Sequence, residues 1–310
     1  MVSDRMDSDR MDSAGDQGSY GRPAPVTAAM LRQGVRSHGL SGRIVVVHSS
    51  LASFGRVDGG AAAVVQAFLD EGCTIVVPAF SDCRVSPPPG VRLERNAEEA
   101  VPPGRPADGQ PAGGQPAGGQ PAGGFLPGMT EVVRDMGAIP AWVAAHPDRR
   151  RGNHPLNSFA ALGPRAGEVI GGQSPQDVYA PLRAAAANDG CVALLGVGLT
   201  AMTIIHLAEQ VAGRELFVRW ALLADGRRIP ARVGSCSEGF ERLAPALTPA
   251  EAVSDVGRSR WRVFGAARAV DLAAAEISRR PDVTSCADPS CARCRDAVAG
   301  GPVGSESVWA

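Results

Sequence analysis

The residues of this chain best placed to do chemistry are His206 and Glu209, three positions apart in the stretch CVALLGVGLTAMTIIHLAE, residues 191–209. That spacing is close to one helical turn, so on a helix the two side chains share a face. A carboxylate beside an imidazole fixes the ring's orientation and stabilises its protonated form, which suits a general base near neutral pH. The plain alternative is a hydrogen bond on a helix with no part in chemistry. A zinc-protease pair is excluded, because no second histidine follows four residues after His206. The glycines of LGVGLTA lack the third glycine and the acidic partner of a dinucleotide fingerprint.

Sulfur forms the second group. Cys286, Cys291 and Cys294 stand in CADPSCARC with the spacing C-x4-C-x2-C. Three thiolates so close suggest a metal site, with Cys236 of SCSEGF as the candidate fourth ligand. A zinc ion there is structural, since four sulfurs leave no open position. The alternative is a set of reduced thiols in a loose tail.

These groups need elements to position them. Cys191–Leu195 has the length and apolarity of a buried strand, Gly196 and Gly198 allow a tight turn, and a helix begins near Thr200–Thr203. Upstream, a helical pattern over residues 26–38 leads to RIVVVHSS (43–50), a buried strand ending in the hydroxyls of Ser49 and Ser50. The loop LASFGRVDGG (51–60) follows, then a helix that buries Val64, Val65, Phe68 and Leu69, then a second buried strand, CTIVVPAFS (73–81). Amides at such a helix start attract anionic or carbonyl oxygens, although a simple turn is the plainer reading of this loop. Helices are expected around Ile139–Val143, over 177–187 and over 267–279, and a hairpin over 217–233. The arginine run 149–151 is either a solvated loop or a contact for cofactor phosphates. Strands alternating with helices predict an α/β protein.

The chain has 310 residues, 44% of them hydrophobic, enough for one large core. Its basic and acidic residues number 31 and 32, which argues against a nucleic-acid surface; all the basic ones are arginine. No apolar run reaches the length of a membrane span, and the N-terminus MVSDRMDSDRMDS is polar where a signal peptide is apolar, so a cytoplasmic location is expected. Residues 1–22 read as a disordered leader and about 84–124, with GQPAG three times in succession, as a flexible insertion. The main domain is then 23–283 and the cysteine-rich tail 284–310.

Taken together and in order, VVVHSSLASFGRVDGG, TIVVPAFS, NHPLNSFAALG, LLGVGLTAMTIIHLAE and SCSEGF resemble the aminoglycoside 3-N-acetyltransferase family, which is distinct from the GNAT superfamily. The resemblance implies a single α/β unit with a central mixed sheet flanked by helices, to which this chain adds its cysteine-bearing tail. It implies direct acetyl transfer from acetyl-CoA to a small-molecule amine, with His206 as general base and Glu209 orienting it. Ser49, Ser50, Leu51 and the turn Val57, Asp58, Gly59, Gly60 match the part that holds pantetheine and the thioester carbonyl. Asn153, His154, Ser158 and Thr203 are implied as supporting residues. No membrane or nucleic-acid partner is implied, and monomer and homodimer stay open.

For the acceptor, departures from the family matter more than matches. Met202, Leu199 and Thr200 stand where polar or acidic residues are common, and Arg84 and Arg232 lie where carboxylates meet the cationic sugar. Arginines in that pocket would repel a polycation. Either other acids, Asp82 and Glu238 being the candidates, meet the substrate, or the acceptor is a less cationic amine. A non-catalytic acyl-CoA-binding relative is the remaining alternative.

Overall fold

The computed structural model describes residues 24–91 and 124–299, so the leader and most of the Gly/Pro-rich insertion lie outside the described residues. Among the described residues, ten strands form two sheets: β1 (Ile44–Ser49), β2 (Thr74–Pro78), β3 (Arg84–Val85), β4 (Arg150–Arg151), β5 (Phe159–Leu162), β6 (Cys191–Leu195), β7 (Phe217–Leu222), β8 (Arg228–Val233), β9 (Glu251–Val256) and β10 (Ser259–Gly265). The large sheet has the order β4-β5-β2-β1-β6-β10-β9, and the small one β3-β7-β8. At the centre β1 pairs in parallel with both β2 and β6, while the outer strands run antiparallel. The fold is mixed α/β, as the alternation of strands and helices predicts.

The central strands are uninterrupted apolar runs because both faces of the sheet are covered. With a side-chain period of two, Val45, Val47, Ile75, Val77, Ala193 and Leu195 enter one core. Their neighbours Ile44, Val46, Val76, Val192 and Leu194 enter the other. The first is closed by helices Ala28–Ser37, Gly60–Asp70 and Ala138–Ala145, the second by Ala180–Ala187, Ile204–Val211 and Ala266–Arg279. No described helix is long and apolar enough to cross a membrane.

Three departures from the sequence reading have physical causes. Helix Ala180–Ala187 starts three residues later than expected, because Ser174–Asp177 closes a turn in which the Asp177 amide donates to Ser174 Oγ at 3.1 Å. The segment read as an insertion opens as strand: Arg84 and Val85 pair with Ala221 and Trp220 of β7. Phe125, just past its far end, bridges Leu223. β9 and β10 make a hairpin that the sequence reading passed over. The burial of β9 is irregular, with Val253 exposed, so its apolar pattern is weak.

Candidate active site

The sheet meets solvent chemistry at the carboxyl ends of the parallel strands, where α/β sheets bind ligands. β1 ends at His48 and Ser49, and β6 ends one residue before Gly196, which adopts φ +68°. A Cβ at Gly196 would lie 2.0 Å from Ser53 Oγ, so only glycine fits this turn. A short 3-10 turn, Leu199–Ala201, then leads into helix Ile204–Val211, which carries His206 and Glu209 on one buried face.

The two residues are joined. His206 Nδ1 donates to Glu209 Oε2 at 2.8 Å, which leaves Nε2 as the ring nitrogen able to accept a proton. Glu209 is held from three further directions: Arg214 Nη1 donates to Oε1 at 2.6 Å, Ser235 Oγ to Oε2 at 2.9 Å, and Thr284 Oγ1 to Oε1 at 3.3 Å. Burial pushes the Glu209 carboxyl upward. The hydrogen bond from His206, the charges of His206 and Arg214, and the Ser235 hydroxyl outweigh that and hold it below the usual carboxylate range. The imidazole is clamped sideways as well. Tyr179 stacks on it with centroids 5.8 Å apart, and Phe240 meets it edge-on at 4.8 Å. Gly234 passes so close that a Cβ there would lie 2.3 Å from Tyr179 Oη and 2.7 Å from His206 Cγ.

His206 faces a cavity of about 290 Å³ whose walls also include His48, Ser49, Asp135, Asn157, Thr200, Thr203 and Glu238. Two polar atoms on that wall, His48 Nε2 and Ser49 Oγ, are buried without a hydrogen-bond partner among the described residues. Burial drives the His48 imidazole down to about 4, so it is neutral at physiological pH. Such groups are expensive to bury unless a ligand atom bonds them.

Of the residues singled out from sequence, His206, Glu209, Ser49, Thr203 and Glu238 come together here. Ser50 turns the chain out of β1, its amide donating to Leu195 O at 3.0 Å, and Leu51 packs against the core. Val57, Asp58, Gly59 and Gly60 do not line the cavity. They bridge to Val26 and open helix Gly60–Asp70, with Gly59 in the left-handed region at φ +82°. Asn153 is exposed and is not among the cavity-lining residues; Asn157 takes that place.

His154 is fully enclosed and satisfied on both nitrogens. Nε2 stands 2.9 Å from Arg232 O, and Nδ1 lies 2.8 Å from the Asn157 amide, which makes it a neutral tie between a turn and β8. Burial lowers it to about 4. Ser158 Oγ donates to Ala79 O at 2.7 Å and accepts from Arg151 Nε at 3.0 Å. In the arginine run, Arg151 is spent on backbone carbonyls of Ala79, Met129 and Glu131, and Arg149 on those of His146, Gly128 and Met129.

Among the described residues, no arginine lines this cavity. Arg84 is buried in β3 and Arg232 lies in β8, and neither is among the lining residues; nor is Asp82, whereas Asp135 and Glu238 are. Leu199 and Met202 are buried in the core. Sequence reasoning missed Asp135, Tyr179, Arg214 and Gly234, because each sits in a segment without a recognisable spacing. His48, beside the two serines, could have been found from the strand end.

The family model of aminoglycoside 3-N-acetyltransferase matches residues 46–278, which include every residue that lines this cavity. The chain belongs to the aminoglycoside 3-N-acetyltransferase family. It is an acyltransferase by that membership. It is 29% identical over 264 residues to the aminoglycoside N(3')-acetyltransferase-like protein YokD of Bacillus subtilis, covering 80% of this chain and 91% of the relative. It is 28% identical over 289 residues to aminoglycoside N(3)-acetyltransferase VII of Streptomyces paromomycinus, covering 88% and 89%. Among solved structures, the crystal structure of YokD superposes with a TM-score of 0.66 at 26% identity, over 83% of this chain and 95% of that one. The aminoglycoside acetyltransferase AAC(3)-IVa apoenzyme gives 0.67 at 23% identity, over 90% and 99%, a likeness of fold. A variant of that enzyme has been crystallised with apramycin.

Proposed function

We propose that this protein transfers an acetyl group from acetyl-CoA to the 3-amino group of an aminoglycoside, with His206 as the general base. Acetyl-CoA supplies the activated thioester. The observation that carries the reading is the His206 ring itself, with Nδ1 committed to Glu209 and Nε2 left over beside a cavity. Nε2 takes the proton from the acceptor nitrogen as that nitrogen attacks the thioester carbonyl. The C–N bond forms, the C–S bond breaks, and the proton passes from the imidazolium to the departing thiolate. Glu209 stabilises the imidazolium between the two transfers. Ser49 Oγ, buried and unpartnered among the described residues, is the donor available to the carbonyl oxygen. The turn Val57–Gly60 and Ser50 lie further along the same loop and are proposed for the pantetheine arm. Asp135 and Glu238 give the cavity the sign of charge that an ammonium-bearing sugar requires. We place the reaction in the cytoplasm, where it would confer resistance to the modified antibiotic.

The test is release of free CoA thiol from acetyl-CoA with a panel of amines that includes several aminoglycosides. Turnover with aminoglycosides that falls by about 10²–10⁴ in His206→Ala is the expected result. Thiol release with less cationic amines alone would replace the acceptor, and acetyl-CoA binding with silence across the panel would replace catalysis by acyl-CoA binding.

A further inference from the structure

The cysteine motif of the tail takes no part in the reaction just described, yet the fold completes it. Cys236 lies in the loop after β8, some fifty residues before Cys286, and the sulfurs of Cys236, Cys286, Cys291 and Cys294 all lie within 4.8 Å of one another. A tetrahedral zinc with Zn–S bonds of about 2.3 Å needs sulfurs about 3.8 Å apart, so a contraction of an ångström or less closes the site. The Cys286 amide already donates to Cys294 Sγ at 3.2 Å, the kind of backbone contact that orients a thiolate ligand. The remaining cysteines, Cys73, Cys83 and Cys191, are buried core residues.

Among its described residues the tail buries little apolar surface. Its helix, Ala292–Val298, has seven residues, too few to be stable alone, and besides Cys294 the apolar residue it buries is Ala297. The two cysteine-bearing segments nevertheless meet at backbone contact: a Cβ at Gly239 would lie 2.1 Å from Ser285 O and 2.3 Å from Thr284 O. Small units with so little core are commonly closed by a metal. Four soft thiolates select zinc or iron over hard cations, and four protein ligands make the site structural.

We propose that Cys236, Cys286, Cys291 and Cys294 form a tetrathiolate zinc site that locks together the two segments holding Glu209. Ser235, which precedes Cys236, donates to one oxygen of Glu209; Thr284, two residues before Cys286, donates to the other. Thr284 also accepts from Arg214 at 2.7 Å, and Pro281 O accepts from the same guanidinium. The metal thus fixes both walls of the socket in which the carboxylate sits. None of the four cysteines lines the cavity that His206 faces, so their role is positioning.

The full chain, purified without added metal or chelator, should carry about one zinc per molecule by elemental analysis. Cys286→Ser and Cys294→Ser should each retain less than about a tenth of that, while Cys73→Ser retains all of it. For the wild-type chain stripped by chelator, restoring zinc should protect four thiols from alkylation, read by mass spectrometry. It should also slow amide hydrogen exchange over 233–238 and 281–285 by tenfold or more, with β1 and β6 unchanged. A metal-free chain whose four thiols alkylate equally with and without zinc overturns the site, as does a disulfide between any two of them or iron in place of zinc. Zinc binding with unchanged exchange at both segments overturns the link to Glu209. None of these readouts depends on acetyl transfer, so the site stands or falls apart from the proposed reaction.

Discussion

Arg214 Nη1 stands 2.6 Å from Glu209 Oε1, so the carboxylate that grips His206 is itself gripped by a buried guanidinium. Both side chains are almost wholly enclosed, and water cannot replace either partner. Removing the cation leaves a carboxylate in a low-dielectric socket, a change that typically costs about 3–5 kcal/mol. Arg214→Met is therefore expected to lower the stability read from urea unfolding by that order at pH 7. The acid limb should move as well. Glu209 is held below its ordinary 4.5, so its contribution is full above that pH and is lost as pH falls through the lower folded value. Without Arg214 the depression shrinks and the loss begins at higher pH. Equal midpoints for variant and wild type would show that the pair contributes nothing.

Gly234 has no room for a methyl group between Tyr179 and His206. Gly234→Ala should displace the imidazole from its clamp and lower kcat by about ten- to a hundredfold, given how sensitive proton transfer is to misplacement. The destabilisation from overpacking should stay within about 1–3 kcal/mol, leaving a folded protein in which this can be measured. A variant with unchanged kcat would show that the ring position is not critical.

Asp135 and Glu238 are the carboxylates on the cavity wall among the described residues. If they meet the ammonium groups of the acceptor, Asp135→Asn together with Glu238→Gln should raise KM for a polycationic aminoglycoside about tenfold or more. KM for acetyl-CoA should hold steady, and the effect should fade as ionic strength rises. An equal rise for a monoamine would point to a general distortion instead.

Two histidines make the fold sensitive to mild acid. Burial holds His48 and His154 at about 4, whereas in the unfolded chain each titrates near 6.5. Between those values the unfolded state binds protons that the folded state does not, so stability rises with pH across the window and falls on acidification. Integrated across the window, each site contributes on the order of 3 kcal/mol of stability. His154→Gln is expected to be less stable at pH 7, through its lost ties to Arg232 and Asn157, but to lose less between pH 6.5 and 4. Unfolding curves at both ends of that window that fall in parallel would refute the assignment.

The parts of this molecule that sequence revealed are those whose physics is local. VVV before His48 and VALL before Gly196 are strands buried on both faces, and His206 and Glu209 meet because three residues nearly complete a turn. What sequence hid depends on tertiary approach. Tyr179 looks like an ordinary residue at a helix start, Arg214 like a surface arginine after a glycine, and Gly234 like a loop glycine. Each becomes meaningful only when the end of β8 is laid against helix Ile204–Val211. Arg84 and Arg232 mislead in the opposite direction: near the pocket in sequence, they lie in the small sheet and not on the cavity wall. Spacing pointed to the three tail cysteines directly and named Cys236 as the candidate fourth, and the close approach at Gly239 brings all four sulfurs within 4.8 Å of one another.

Flanked by a phenol ring on one side and a phenyl edge on the other, the imidazole of residue 206 has no freedom to swivel. Its lone pair therefore points in one direction before any acceptor arrives. Under the proposed reaction, selectivity among amines then arises in how a guest orients itself toward a stationary target, and the shape of the vestibule, more than the strength of the base, decides which nitrogen is chosen.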